Sequence, residues 1–98
     1  MEFWTRTQNK KGLCRLKDIY IREENSTFVL ENKHYLLGTY KTEERALDIL
    51  NEINFGIMYF GLSYSELKAL AKSENIKMQG NFVFNANTNV AVYNMPEE

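Results

Sequence analysis

The sequence predicts an α+β fold: an N-terminal four-stranded antiparallel meander, two helices and a C-terminal β-hairpin. Three observations carry this. The first forty residues place β-forming runs between turn clusters. Residues 42–60 switch to apolar spacings of three and four. Residues 81–98 return to strand character around an asparagine-rich loop.

The run "EFWTRTQ" (residues 2–8) mixes Phe, Trp and Thr, which suit a pleated surface. "NKKG" (Asn9 to Gly12) is a glycine-ended turn, so residues 2–8 and 13–22 are expected to form a hairpin. In "DIYIRE", Ile19 and Ile21 share one face, and Tyr20 and Arg22 share the other. Residues 24–26 are the next turn, "TFVLE" is the third strand, Asn32 and Lys33 form a two-residue turn, and "HYLLGTY" is the fourth strand.

The long helix follows from one stripe, Ala46, Ile49, Leu50, Ile53, Ile57 and Phe60. Thr42 is its expected N-cap, with Glu43 and Glu44 in the first turn, where the helix dipole favours negative charge. Gly56 weakens its last turn and Gly61 is expected to end it. "SYSE" (residues 63–66) matches a capping box for a second helix, with Ser63 as cap. Leu67, Leu70 and Ala71 give this helix its apolar side, and it should stop at residues 73–75. In the closing hairpin, Phe82 and Phe84 oppose Val83. Ala91, Tyr93 and Met95 alternate with Val90, Val92 and Asn94, and Pro96 closes the strand.

Residues 53–67, "INFGIMYFGLSYSEL", are too short to span a bilayer, which needs ~20 apolar residues. Phe55, Met58 and Tyr59 lie off the helix stripe, and an exposed apolar patch of this kind marks an interface. The segment is therefore expected to pack against its copy in an isologous homodimer or higher homo-oligomer.

With 98 residues the chain makes one domain, large enough to build a core without covalent staples. Twelve basic and thirteen acidic side chains give a net charge of −1, which argues against a nucleic-acid footprint. A single cysteine, Cys14, excludes an intrachain disulfide and a cysteine-based zinc site. No apolar stretch reads as a leader or a membrane span, so a cytoplasmic protein without membrane contact is expected.

The residues offer no evident catalytic set and no metal motif, and no cofactor is implied. His34, the only histidine, reads as a partly exposed side chain beside a turn. Cys14 reads as a small buried apolar group, and a Cys14–His34 pair has no support from spacing. Glu43, Glu44, Asp48 and Glu52 read as a solvated acidic helix edge. Residues 61–78 loosely resemble the first half of a helix-turn-helix, but the segment that would be its recognition helix is poor in cations and ends like a strand. The aromatic supply is more telling. Trp4, Tyr20, Tyr59, Phe60, Tyr64, Phe82, Phe84 and Tyr93 offer flat apolar faces of the kind that hold a nucleobase. Arg6, Arg15, Arg22 and Arg45 offer forks for phosphate. Asn85, Asn87, Asn89 and Asn94 offer amides for ribose or base edges. From these, Arg45 at the helix start, one of Tyr59, Phe60 or Tyr64 for base stacking, and Asn85 and Asn87 for polar contacts are the candidate ligand residues.

"MEFWTRTQNKKGL", "DIYI", "YLLGTYKTEERALDILNEI" and "VYNMPEE" together cover about half of the chain. They resemble small phage proteins with an N-terminal antiparallel sheet, a helix opening like Tyr40 to Ala46, and a terminal Tyr-x-Met-Pro, here residues 93–96. The chain is similar to the phage Thoeris anti-defence sponge family. The resemblance implies a phage-encoded immune-evasion protein in the host cytoplasm. It would bind and sequester a cyclic nucleotide-type defence signal, such as a cyclised ADP-ribose isomer, without cleaving it. It also implies oligomers whose pockets form where protomers meet, with Arg45 the residue carried over. The alternative is an interaction protein that inhibits a host defence enzyme by direct contact.

Overall fold

A computed structural model of the chain describes residues 2–59, 64–77, 82–85 and 87–98. The elements are β1 (Glu2–Arg6), β2 (Leu13–Arg15), β3 (Tyr20–Glu24), β4 (Thr27–Glu31), β5 (Leu36–Tyr40), α1 (Glu43–Met58), α2 (Tyr64–Ser73), β6 (Phe82–Asn85) and β7 (Val90–Asn94). The fold is α+β, as expected, but its strands divide into two sheets. One is four-stranded in the order β2-β1-β7-β6, and the other is the antiparallel meander β3-β4-β5.

The expected four-stranded meander is therefore corrected to three strands, because residues 13–22 are not one strand. Leu16 N–H still donates to the Phe3 carbonyl at 3.0 Å, after which Asp18 takes a left-handed conformation with φ 54°. Aspartate tolerates that region better than most residues, and the turn carries the chain from one sheet to the other. β6 pairs antiparallel with β7, but the pair is not the self-contained closing hairpin of the expected layout. It does not sit apart: β7 runs parallel to β1 from Glu2↔Val90 to Arg6↔Asn94 and closes the edge that β1 would otherwise expose.

The β1–β2 hairpin turns on Asn9, whose Oδ1 accepts from Lys11 N–H at 2.9 Å. Between β3 and β4, Asn25 and Ser26 both have positive φ (50° and 62°), the pairing that a tight I′ hairpin requires. Thr42 caps α1 and accepts from Arg45 N–H at 3.1 Å. Ala46, Ile49 and Ile53 are buried against Leu30, Leu37 and Tyr40 of the meander and against Tyr93 of β7. Two expectations for α1 are corrected. Glu52 is not on the solvated edge; it is 2% exposed and accepts a long hydrogen bond from the Tyr93 hydroxyl at 3.4 Å. Phe55 is covered by its own chain, at 4% exposure, and stacks on Tyr59 with ring centroids 5.0 Å apart. Of the three residues expected to face a second copy, Met58 alone is strongly exposed.

The α1 helix ends at Met58, where Tyr59 N–H donates to the Phe55 carbonyl at 3.0 Å; Phe60, Gly61 and Ser63 lie outside the described residues. The α2 helix closes as a Schellman motif. Asn75 is left-handed (φ 59°) and donates to Lys72 at 3.3 Å, and Ile76 donates to Ala71 at 2.8 Å. Residues 82–85 then form β6, so the stretch that would have been a recognition helix ends in a strand and the helix-turn-helix reading falls. Among the described residues, no helix is long and apolar enough to cross a membrane.

A cationic aromatic cleft between the sheets

Two turns from different sheets face each other across a cleft of about 400 Å³. One wall is the β1–β2 hairpin with the connection that follows it, presenting Trp4, Leu13, Cys14, Arg15, Lys17 and Asp18. The other is the turn between β4 and β5, presenting Asn32, Lys33, His34 and Tyr35.

Local structure explains both walls. Trp4 lies directly opposite Arg15 in the β1–β2 register, so their side chains leave the sheet on the same face. The guanidinium settles over the Trp4 ring, 5.3 Å from its centroid, within cation–π range. Arg15 Nη2 also donates to Glu2 Oε1 at 2.8 Å. On the other wall, Asn32 organises the turn. Its Oδ1 accepts from His34 N–H at 2.9 Å and Tyr35 N–H at 2.8 Å, while its own N–H donates to the Tyr35 carbonyl at 3.0 Å. This Asx turn holds Lys33, His34 and Tyr35 outward. Tyr35 is 57% exposed, with the His34 ring edge-on at 6.2 Å.

Arg15, Lys17 and Lys33 set three cations against two carboxylates, Asp18 in the lining and Glu2 beside Arg15, which leaves a local excess of positive charge. In a chain of net charge −1, that is a local reversal of sign which attracts anions. Aromatic faces, cations and one side-chain amide around a concave surface suit a nucleotide: stacking holds the base, and Arg and Lys hold phosphate. Cys14 and His34 both line the cleft, but no hydrogen bond links them among the described residues. Burial pushes the Cys14 thiol above its ordinary pKa, away from the thiolate that a nucleophile needs.

Of the candidate ligand residues read from sequence, Arg45, Tyr59 and Asn87 do not line this cleft. Arg45 Nε donates to the Glu98 carbonyl at 2.7 Å, which ties the helix start to the C-terminal segment. Tyr59 caps the other end of α1, roughly 20 Å away along a helix that rises about 1.5 Å per residue. A single pocket holding both would need a second copy. Phe60 lies outside the described residues. Tyr64 opens α2 and Asn85 ends β6, with side chains outside the described part, and Asn87 is exposed in the β6–β7 turn. Of the four arginines singled out for phosphate, only Arg15 lines the cleft. Arg6 donates to the Lys10 carbonyl at 3.3 Å, and Arg22 pairs with Glu31 at 2.6 Å. Lys17, Lys33 and Tyr35 were not singled out by sequence, because their proximity depends on how the two sheets sit together.

Compared with protein-family models, with curated proteins and with solved structures, the chain matches none.

Proposed function

We propose that the chain binds a cyclic nucleotide-type signal and sequesters it without cleaving it, as a phage-encoded protein that blunts a host defence response. The observation that carries the binding reading is the cleft, where Trp4 and Tyr35 stand among Arg15, Lys17 and Lys33. The planar group of the ligand lies on Tyr35, and its phosphates lie between the cations of the two walls. Sequestration needs affinity and no general base, nucleophile or metal. The cyclic nature of the ligand and the phage context rest on the family resemblance in residues 1–13, 18–21, 35–53 and 92–98. Assembly into a homo-oligomer belongs to the same reading, through the exposed Met58. The cleft is lined from one chain, so each copy carries its own site.

A thermal-shift screen tests this, with cyclic ADP-ribose isomers and cyclic di- and trinucleotides. A ligand at a hundred times its Kd adds about 2.7 kcal/mol to stability, a rise of several degrees in a domain of this size. The ligand should be recovered unaltered after the complex is heated. Recovery of a hydrolysed product would make the protein an enzyme. No shift with any nucleotide, together with capture of a host defence enzyme, would favour inhibition by direct contact. The exposed Leu13, Tyr35 and Leu36 would then be the surface to mutate.

A further inference from the structure

We infer that Arg15 is the anion-reading residue of the cleft and that Glu2 is a built-in competitor for it; this rests on the nucleotide reading above. Trp4 and Arg15 both line the cleft, while Glu2 does not. Arg15 is nevertheless held from two sides. The Trp4 ring lies beneath its guanidinium at 5.3 Å, and Glu2 Oε1 takes Nη2 at 2.8 Å. Lys17 and Lys33 show no ion pair among the described residues, so Arg15 is the cleft cation that already has a carboxylate.

Three consequences follow. The Trp4 face under the guanidinium is occupied, so Trp4 serves as a platform for Arg15 and leaves base stacking to Tyr35. The cation–π contact fixes the plane of the fork before any ligand arrives, which lowers the ordering cost of binding. An anion reaching Arg15 meets the Glu2 carboxylate, and must displace it or lie beside a like charge. Both side chains of the pair are more than half exposed, at 65% and 51%. A pair this wet is weak and opens easily, so it tunes affinity without blocking the site. Glu2 is thus a positioning residue that favours ligands anionic enough to outcompete a carboxylate.

The test uses Trp4, the only tryptophan of the chain, as its reporter. Fluorescence titrations of the full chain with cyclic ADP-ribose and with inorganic pyrophosphate would compare wild type, Glu2→Gln and Glu23→Gln. Glu23 is exposed on β3, lies outside the cleft, and carries the same charge change. Glu2→Gln should tighten both probes about two- to fivefold, the range expected for releasing a surface ion pair. Glu23→Gln should leave both unchanged. Unchanged or weaker binding by Glu2→Gln, with wild type binding normally, would overturn the competitor role and leave the nucleotide reading standing. Equal tightening by Glu23→Gln would overturn it too, by reducing the effect to net charge. If wild type binds neither probe, this inference is overturned, while the nucleotide reading is decided by the wider screen with cyclic di- and trinucleotides.

Discussion

Gly56 is a helix residue whose missing side chain matters. A β-carbon there would run into the Phe82 ring, so the glycine is what lets β6 lie against the last turn of α1. Helix propensity alone would have Gly56→Ala stabilise by ~1 kcal/mol, whereas overpacking costs about 1–3 kcal/mol. Phe82 cannot swing away freely, because its ring packs edge-on against the fully buried Tyr93 at 4.9 Å. The clash should win, and Gly56→Ala should lower the urea midpoint of unfolding. A raised midpoint would mean that Phe82 steps aside. At this scale the sequence was legible where one element sufficed, as with the Thr42 cap and the stripe through Ala46, Ile49 and Ile53. Glu52 was not, because its partner Tyr93 is 41 residues away and helical spacing cannot see it.

At the scale of elements, two sheets must be held together by more than a shared core. Gln8, just past β1, does much of this. Its backbone N–H donates to the Leu37 carbonyl at 2.8 Å. Its side chain copies a peptide group toward Thr39 of β5, with Nε2 donating to the Thr39 carbonyl at 3.0 Å and Oε1 accepting Thr39 N–H at 2.9 Å. Nε2 also reaches the Glu97 carbonyl at 2.8 Å. Gln8→Ala should therefore destabilise by about 1–3 kcal/mol, the cost of leaving such groups without partners, measured by chemical denaturation. A loss within a few tenths of a kcal/mol would mean that water replaces the amide. Element types were readable from period and turn chemistry. Sheet membership was not: the β1–β7 pairing joins opposite ends of the chain, and a single left-handed Asp18 decides that residues 13–22 split.

For the whole molecule, the split into two sheets creates the cleft, since its walls belong to one sheet each. A single four-stranded meander would have put the β1–β2 hairpin and the Asn32 turn in one surface with no gap between them. The candidate site was legible in kind, as aromatic faces with arginine forks, but not in place, because Trp4, Lys17, Lys33 and Tyr35 meet only through that arrangement. It also separates two views of assembly. In a pocket shared between copies, ligand uptake and self-association are linked, and apparent affinity depends on protein concentration. A cleft completed within one chain has no such link, even when the chains pair through Met58. Titration calorimetry with cyclic ADP-ribose at two protein concentrations tenfold apart should give one ligand per chain and the same Kd at both. One ligand per two chains, or an affinity that rises with protein concentration, would return the site to the protomer boundary and to Arg45 and Tyr59 at the two ends of α1.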